Sequence, residues 1–228
     1  MVPRPSIDPA IKTIAPGFRA ISLFVDMHGA TPAAIDPSVL TDACGIVQDG
    51  GPEWAEAHLA SWAAVYARFG AKPNRTPCSA QALRKRVLKD GLLPAINPVV
   101  DLYNAVSLRF AVPVGGENMD AYVGAPRLTV ADGTELFDTI ANGAPAIEHP
   151  VPGEVIWRDD VSVTCRRWNW RQGTRTRLDT FTGRIWLVLE SLETMPIAAL
   201  CEAAAHLEMG LRTLIPGCSI DRESLAAV

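Results

Sequence analysis

Two stretches bring titratable and hydrogen-bonding side chains together, and neither carries a standard catalytic signature. The first is Asn74-Arg75-Thr76-Pro77-Cys78-Ser79, followed further on by Ile96-Asn97-Pro98-Val99-Val100-Asp101-Leu102-Tyr103-Asn104. Asn97 can cap a helix, and a proline at the first helical position lacks only an N–H that would have no helical partner. On a helix begun there, Asp101 and Asn104 lie three apart and share a face. Thr76, Ser79, Asn97, Asp101 and Asn104 could therefore line a polar pocket. Capping, and the helix dipole's preference for an acid in its first turn, account for Thr76 and Asp101 equally well with no ligand.

The second stretch is Cys165-Arg166-Arg167-Trp168-Asn169-Trp170-Arg171-Gln172. On a strand over 161–168 continued outward, Arg167 and Asn169 would point to one side, and Arg166, Trp168 and Trp170 to the other. Cations interleaved with indole rings suit a surface that grips phosphates and stacks bases. An exposed charged edge strand whose tryptophans pack on the core uses the same residues.

Other chemistries lack their local signatures. The sequence has no H-E-x-x-H, G-x-S-x-G, phosphate-binding glycine loop or G-x-G-x-x-G, so no cofactor is expected. His28, His58, His149 and His206 are scattered without a second metal-type ligand at a tight spacing, and no metal is expected. The cysteines, at 44, 78, 165, 201 and 218, form no C-x-x-C pair and read as buried reduced thiols. The chain has 228 residues, 48% of them hydrophobic and 20% charged, which suits one compact domain. No apolar run approaches the roughly 20 residues a membrane-spanning helix needs, and no signal-like segment opens the chain, so a cytoplasmic protein is expected. The formal charge of -4 argues against global attraction to nucleic acid. Basic residues are nevertheless gathered between 68 and 109 and between 166 and 184.

The elements that must position these residues follow from pattern. Cap-and-proline pairs predict helix starts at Asp36-Pro37, Gly51-Pro52, Thr76-Pro77 and Asn97-Pro98. The second helix should run to Gly70, the third to about Gly91, and the fourth to before Pro113. Strands are predicted at 20–25, 127–130, 154–157, 161–168 and 184–190, with turns at Gly115-Gly116, Asp132-Gly133, Asn142-Gly143 and Asp159-Asp160. A closing helix spans 196 to about 214. Helices dominate the first half and strands the second, which predicts an α+β fold.

The segment Ile96 to Asn118, INPVVDLYNAVSLRFAVPVGGEN, resembles part of the tRNA-editing B3/B4 domain of the phenylalanyl-tRNA synthetase beta subunit. There an Asn precedes a V-V-D-x-x-N helix, and a P-L-H-A-F-D-type turn follows. Asn97, Val99, Val100, Asp101, Asn104 and Pro113 match that pattern. The stretch from Glu154 through RRWNWRQGTRT to Leu189-Glu190-Ser191 resembles the domain's second half, and NRTPCS and RRWNWRQ resemble hallmarks of its free-standing relatives. The resemblance implies a single domain with a mixed sheet or barrel core flanked by helices. On this reading residues 1–70 pack on the same core, 71–215 form the editing-like domain, and 216–228 are a tail.

In the synthetase the domain hydrolyses wrongly made tyrosyl-tRNA, and a glutamate recognises the tyrosine hydroxyl. The resemblance puts Glu190 in that place. It also puts Gly115 where the family has the histidine of its turn, followed by Gly116, Glu117 and Asn118, so the pocket should differ from the synthetase's tyrosine pocket. The implied activity is deacylation in trans of mischarged aminoacyl-tRNA by a positioned water. Gly115, Gly116, Thr76 and Asp101 are the expected catalytic set. Ser79, Asn97, Asn104, Glu117, Asn169 and Glu190 would form the substrate pocket, and Arg75, Lys85, Arg166, Arg167, Trp170 and Arg171 would bind tRNA at its acylated 3′ end. Two other readings stay open: a non-catalytic RNA-binding module, and a protein that binds free amino acids or small molecules.

Overall fold

The computed structural model describes residues 4–226, with the side chain of Ala226 excepted. Its centre is a four-stranded antiparallel sheet of order β11-β2-β10-β3, built from β2 (Arg19–Asp26), β3 (Val114–Asn118), β10 (Arg184–Ser191) and β11 (Ser219–Ala226). Strand alternation gives this sheet two apolar faces. Ile21, Leu23, Val25, Leu187 and Leu189 pack with α5 (Pro98–Phe110) and α6 (Ile197–Leu214) on one side. Ala20, Phe24, Trp186 and Val188 face the other way, toward α3 (Ala55–Arg68) and a second sheet.

That second sheet has order β1-β4-β7-β8-β9, from β1 (Ser6–Ile7), β4 (Arg127–Val130), β7 (Val155–Arg158), β8 (Val163–Arg166) and β9 (Arg171–Gln172). Helix α1 (Ala10–Ile14) follows β1. Strands β5 (Phe137–Ala141) and β6 (Ala144–Glu148) form a separate hairpin. Helices α2 (Pro37–Gln48) and α4 (Ser79–Asp90) pack with α5. The fold is α+β as expected; the sheets stay open, and no barrel closes among the described residues.

Several local expectations are revised. The Asp36 and Asn97 side chains cap α2 and α5 at the predicted prolines. Helix α3, however, begins at Ala55 and α4 at Ser79, because neither Gly51 nor Thr76 caps the helix after its proline. Gly115-Gly116 lies in strand β3, where pairing with β10 overrides the poor β-propensity of glycine. The supposed tail contains β11, which pairs with β2 along its whole length. The cysteines are all free, but Cys201 is exposed and Cys165 only partly buried.

Candidate functional site

Between the two sheets lies a cavity of about 340 Å³, closed on one side by α4. Its floor comes from β3 and β10. Cross-strand partners share a face, and Glu117 lies opposite Trp186 and Gly115 opposite Val188, so these four and Glu190 point the same way, into the cavity. Trp157, Cys165, Trp168, Asn169, Trp170 and Gln172 line the opposite wall. Helix α4 contributes Ser79, Ala82, Leu83 and Arg86, a spacing that presents one helical face, and α5 contributes Tyr103 and Asn104.

The wall is shaped by a turn the strand prediction did not foresee. β8 stops at Arg166, and Arg167 (φ 47°) and Trp168 (φ 67°) adopt left-handed backbone that costs a non-glycine residue energy. Burial compensates. Trp168 is fully buried, edge-on to Phe18 at 4.9 Å and to Trp62 at 5.3 Å, and its indole N–H donates to Glu190 Oε1 at 2.9 Å. The turn breaks the simple alternation expected of residues 166–170.

Glu190 is almost wholly buried. Its Oε1 also accepts from Trp157 Nε1 at 3.0 Å, and Oε2 accepts from Asn169 Nδ2 at 2.9 Å. Asn169 is held in turn, since its Oδ1 accepts from the Tyr66 hydroxyl at 2.8 Å. Burial raises the Glu190 carboxyl to about 7, with Asn169 and the two indoles pulling it back toward the ionised form. A carboxylate offers about four acceptor directions, so three donors leave one for a ligand.

Glu117 is buried with no such support. Its Oε2 makes no hydrogen bond, and the Ser79 and Thr176 hydroxyls are likewise buried without partners. Burial pushes Glu117 up to about 8, although Thr176, Gln172 and Arg175 lie near enough to oppose the shift. Beside it, Gly116 is required by space: a Cβ there would lie 2.8 Å from the Tyr103 ring. A Cβ at Gly115 would meet only Val188, at an ordinary 3.6 Å. Glu190 N–H donates to the Pro113 carbonyl, which fixes the ladder so that the backbone groups of Gly115 and Glu117 face β10 and those of Gly116 face the open edge. The Gly116 carbonyl accepts from Gln172 Nε2 at 2.9 Å.

Of the residues singled out from sequence, Gly115, Gly116, Glu117, Ser79, Asn104, Asn169, Trp170 and Glu190 therefore line one cavity. Of the expected catalytic and pocket residues, three do not, and neither do Arg75, Lys85, Arg166, Arg167 and Arg171. The Thr76 hydroxyl donates to the Lys72 carbonyl, Asp101 Oδ1 accepts from Ile96 N–H at 2.8 Å, and Asn97 Oδ1 caps α5 at Val100. Asp101 and Asn97 border separate cavities.

The arginine cluster is largely occupied. Arg166 is buried and pairs with Glu154 at 2.8 Å and Glu148 at 2.9 Å. Arg171 bonds Glu148 and Thr139, and Arg167 stacks over Trp170 at 4.5 Å while facing Glu154 at 3.6 Å. The exposed cations near the cavity are instead on or just before α4: Arg86 at the cavity wall, with Lys85 and Arg75 close by in sequence.

A family model described as the B3/4 domain matches residues 61–207. This chain belongs to the B3/4 domain family. The matched residues carry α4, α5, β3, β10 and the Arg167–Trp168 turn, and so every residue lining the cavity. In fold, the B3/4 chain is similar to the crystal structure of an N-terminal fragment of the phenylalanyl-tRNA synthetase beta subunit from Pyrococcus horikoshii, with a TM-score of 0.50 at 11% identity. The match covers 95% of this chain and 50% of that one, so the B3/4 chain spans about half the length of the synthetase fragment. No curated protein matches the sequence.

Sequence reasoning missed Arg86, Tyr103, Trp157, Gln172 and Trp186 as cavity residues. Residues 79, 82, 83 and 86 share a helical face, and that periodicity could have drawn attention to Arg86. Trp157 and Trp186 fall within the strands predicted at 154–157 and 184–190, and only the stacking of the two sheets turns them toward the same space.

Proposed function

We propose that the cavity receives the aminoacyl group of a mischarged tRNA and that the protein hydrolyses its ester in trans. In that reaction the oxygen of water bonds to the ester carbonyl carbon, the bond from that carbon to the ribose oxygen breaks, and a proton passes to the departing hydroxyl. Amino acid and uncharged tRNA result. An aminoacyl ester is already reactive, so the protein has chiefly to hold it, order the water and stabilise the oxyanion.

The observation that carries this reading is the convergence of Gly116, Glu117, Ser79 and Glu190 on one apolar-walled space within the B3/4 match. The edge-facing N–H of Gly116 and the first turn of α4 are suitable oxyanion donors. Glu190, raised toward neutrality, is suited to pass the proton. Thr76 and Asp101, turned away from the cavity, have no part in it. Phosphates of the 3′ end would meet Arg86, Lys85 and Arg75, because Arg166 and Arg171 are neutralised by Glu148 and Glu154.

The test is to incubate the purified protein with a panel of correctly and incorrectly charged tRNAs and follow ester loss against spontaneous hydrolysis. Faster loss of a mischarged species supports the reading, and no acceleration across the panel refutes it. The occupied arginines favour one second reading, a pocket for free amino acids or other small molecules. It predicts thermal stabilisation by such ligands and none by tRNA.

A further inference from the structure

Glu117 is the feature of the cavity that hydrolysis alone does not explain. It is 5% exposed and lines the cavity, yet one carboxyl oxygen has no hydrogen-bond partner. A buried polar group left unpaired is costly, and native proteins rarely keep one without a use. The neighbouring cation cannot serve it: Arg175 is committed to Asp159 at 2.9 Å, to Ser162 and to the Ala121 carbonyl. The unpartnered Ser79 hydroxyl borders the same cavity from α4.

The surroundings indicate which ligand group would pair with Glu117. Glu190 is a second carboxyl on the same sheet face, and four indoles and the Tyr103 ring line the cavity. Aromatic faces and carboxylates both attract cations. The guanidinium that borders the cavity, Arg86, is itself exposed. A side chain larger than hydrogen at position 115 would fill space beside Glu117, and glycine leaves that space open.

We infer that Glu117 is a specificity determinant, selecting ligands whose inserted end carries a cationic nitrogen that ion-pairs with its carboxylate. The inference deepens the proposed reading by giving the substrate class of the same cavity, and it is tested by binding, without tRNA or turnover. The nitrogen belongs either to a basic side chain or to an α-ammonium group, and four probes separate the two sources: L-lysinamide, L-norleucinamide, Nα-acetyl-L-lysinamide and Nα-acetyl-L-norleucinamide.

Isothermal titration at pH 7 should show the uncharged Nα-acetyl-norleucinamide bound at least about tenfold more weakly than the best cationic probe, since it leaves Glu117 unpaired. Glu117→Gln, verified as folded by its near-ultraviolet circular dichroism, should erase that preference. In the parent protein, binding should also release a proton, because the empty cavity holds Glu117 protonated and the ion pair ionises it. Titrations in buffers of different ionisation enthalpy read this without any variant. Equal binding of charged and uncharged probes, absence of binding by all four, a preference that survives Glu117→Gln, or binding without proton release would each overturn the inference. Deacylation of tRNA with no cation preference would sink it while leaving the proposed function standing, and cation-selective binding without deacylation would do the reverse.

Discussion

Replacing Glu117 by Gln should change how stability depends on pH. In the unfolded chain a glutamate titrates near its ordinary 4.5, whereas burial raises Glu117 to about 8 in the fold. Between those values the native state holds a proton that the unfolded state has lost, so each pH unit of increase costs about 1.4 kcal/mol of stability. Integrated from pH 5 to pH 7.5, the penalty on the parent protein is about 3 kcal/mol. Glutamine has the shape of the protonated acid and does not titrate, so the variant escapes it. Glu190 and His58 titrate in the same range but are common to both proteins and cancel in the comparison. With about 2–4 °C per kcal/mol for a chain of this size, the Tm advantage of Glu117→Gln should grow by roughly 6–12 °C between pH 5 and pH 7.5. Scanning calorimetry of both proteins across that range measures it. A Tm difference that stays constant with pH would show that Glu117 ionises as readily in the fold as outside it, and the account of its burial would be wrong.

The remaining predictions concern packing, the arginines and the buried histidine. Gly116→Ala should destabilise by about 1–3 kcal/mol through overlap with the Tyr103 ring, while Gly115→Ala should change stability little, as urea denaturation of the two would show. Arg166→Ala should cost about 3–5 kcal/mol in the same assay by leaving Glu154 buried without its partner. Replacing Arg86 and Lys85 by Ala should leave Tm nearly unchanged but lower the salt dependence of tRNA binding by about one unit of slope per cation; an unaltered slope would take α4 out of the interface. His58 accepts the Trp62 indole and Leu192 N–H at Nε2, contacts the Ala111 carbonyl through Nδ1, and is lowered to about 4 chiefly by burial. Below pH 6.5 the unfolded state takes up a proton that native His58 refuses, so its contribution to stability is present at neutral pH and lost as pH falls toward 4. A His58→Gln variant should lack that part of the acid-side loss.

What the sequence made legible was local. Asn97-Pro98 and Asp36-Pro37 announced α5 and α2 because each cap is a short-range hydrogen bond within its own turn. The continuous apolar run of residues 185–189 announced β10 because both its faces are buried. By contrast, β3 was hidden: Gly115-Gly116 has turn chemistry, and only pairing with a strand some seventy residues later makes it extended. Residues 219–226 are equally uninformative alone, since their strand is completed by β2 at the other end of the chain. The arginine cluster looked free because its partners, Glu148 and Glu154, lie outside the motif and across the hairpin and β7–β8. Convergence of Ser79, Gly116, Glu117 and Glu190 on one space was foreseeable only through the family resemblance, because no spacing rule relates an α4 hydroxyl to an acid on β10.

The most direct test uses a filled cavity. Gly115→Leu places a side chain in the space beside Glu117 and Val188 without touching the cations of α4. Its single-turnover deacylation of whichever mischarged tRNA the parent protein hydrolyses fastest should be compared with the parent's, after confirming an unchanged Tm and tRNA affinity. The account predicts that hydrolysis falls to the spontaneous rate while tRNA is still bound. Hydrolysis at the parent's rate with the cavity filled would place the chemistry elsewhere on the molecule.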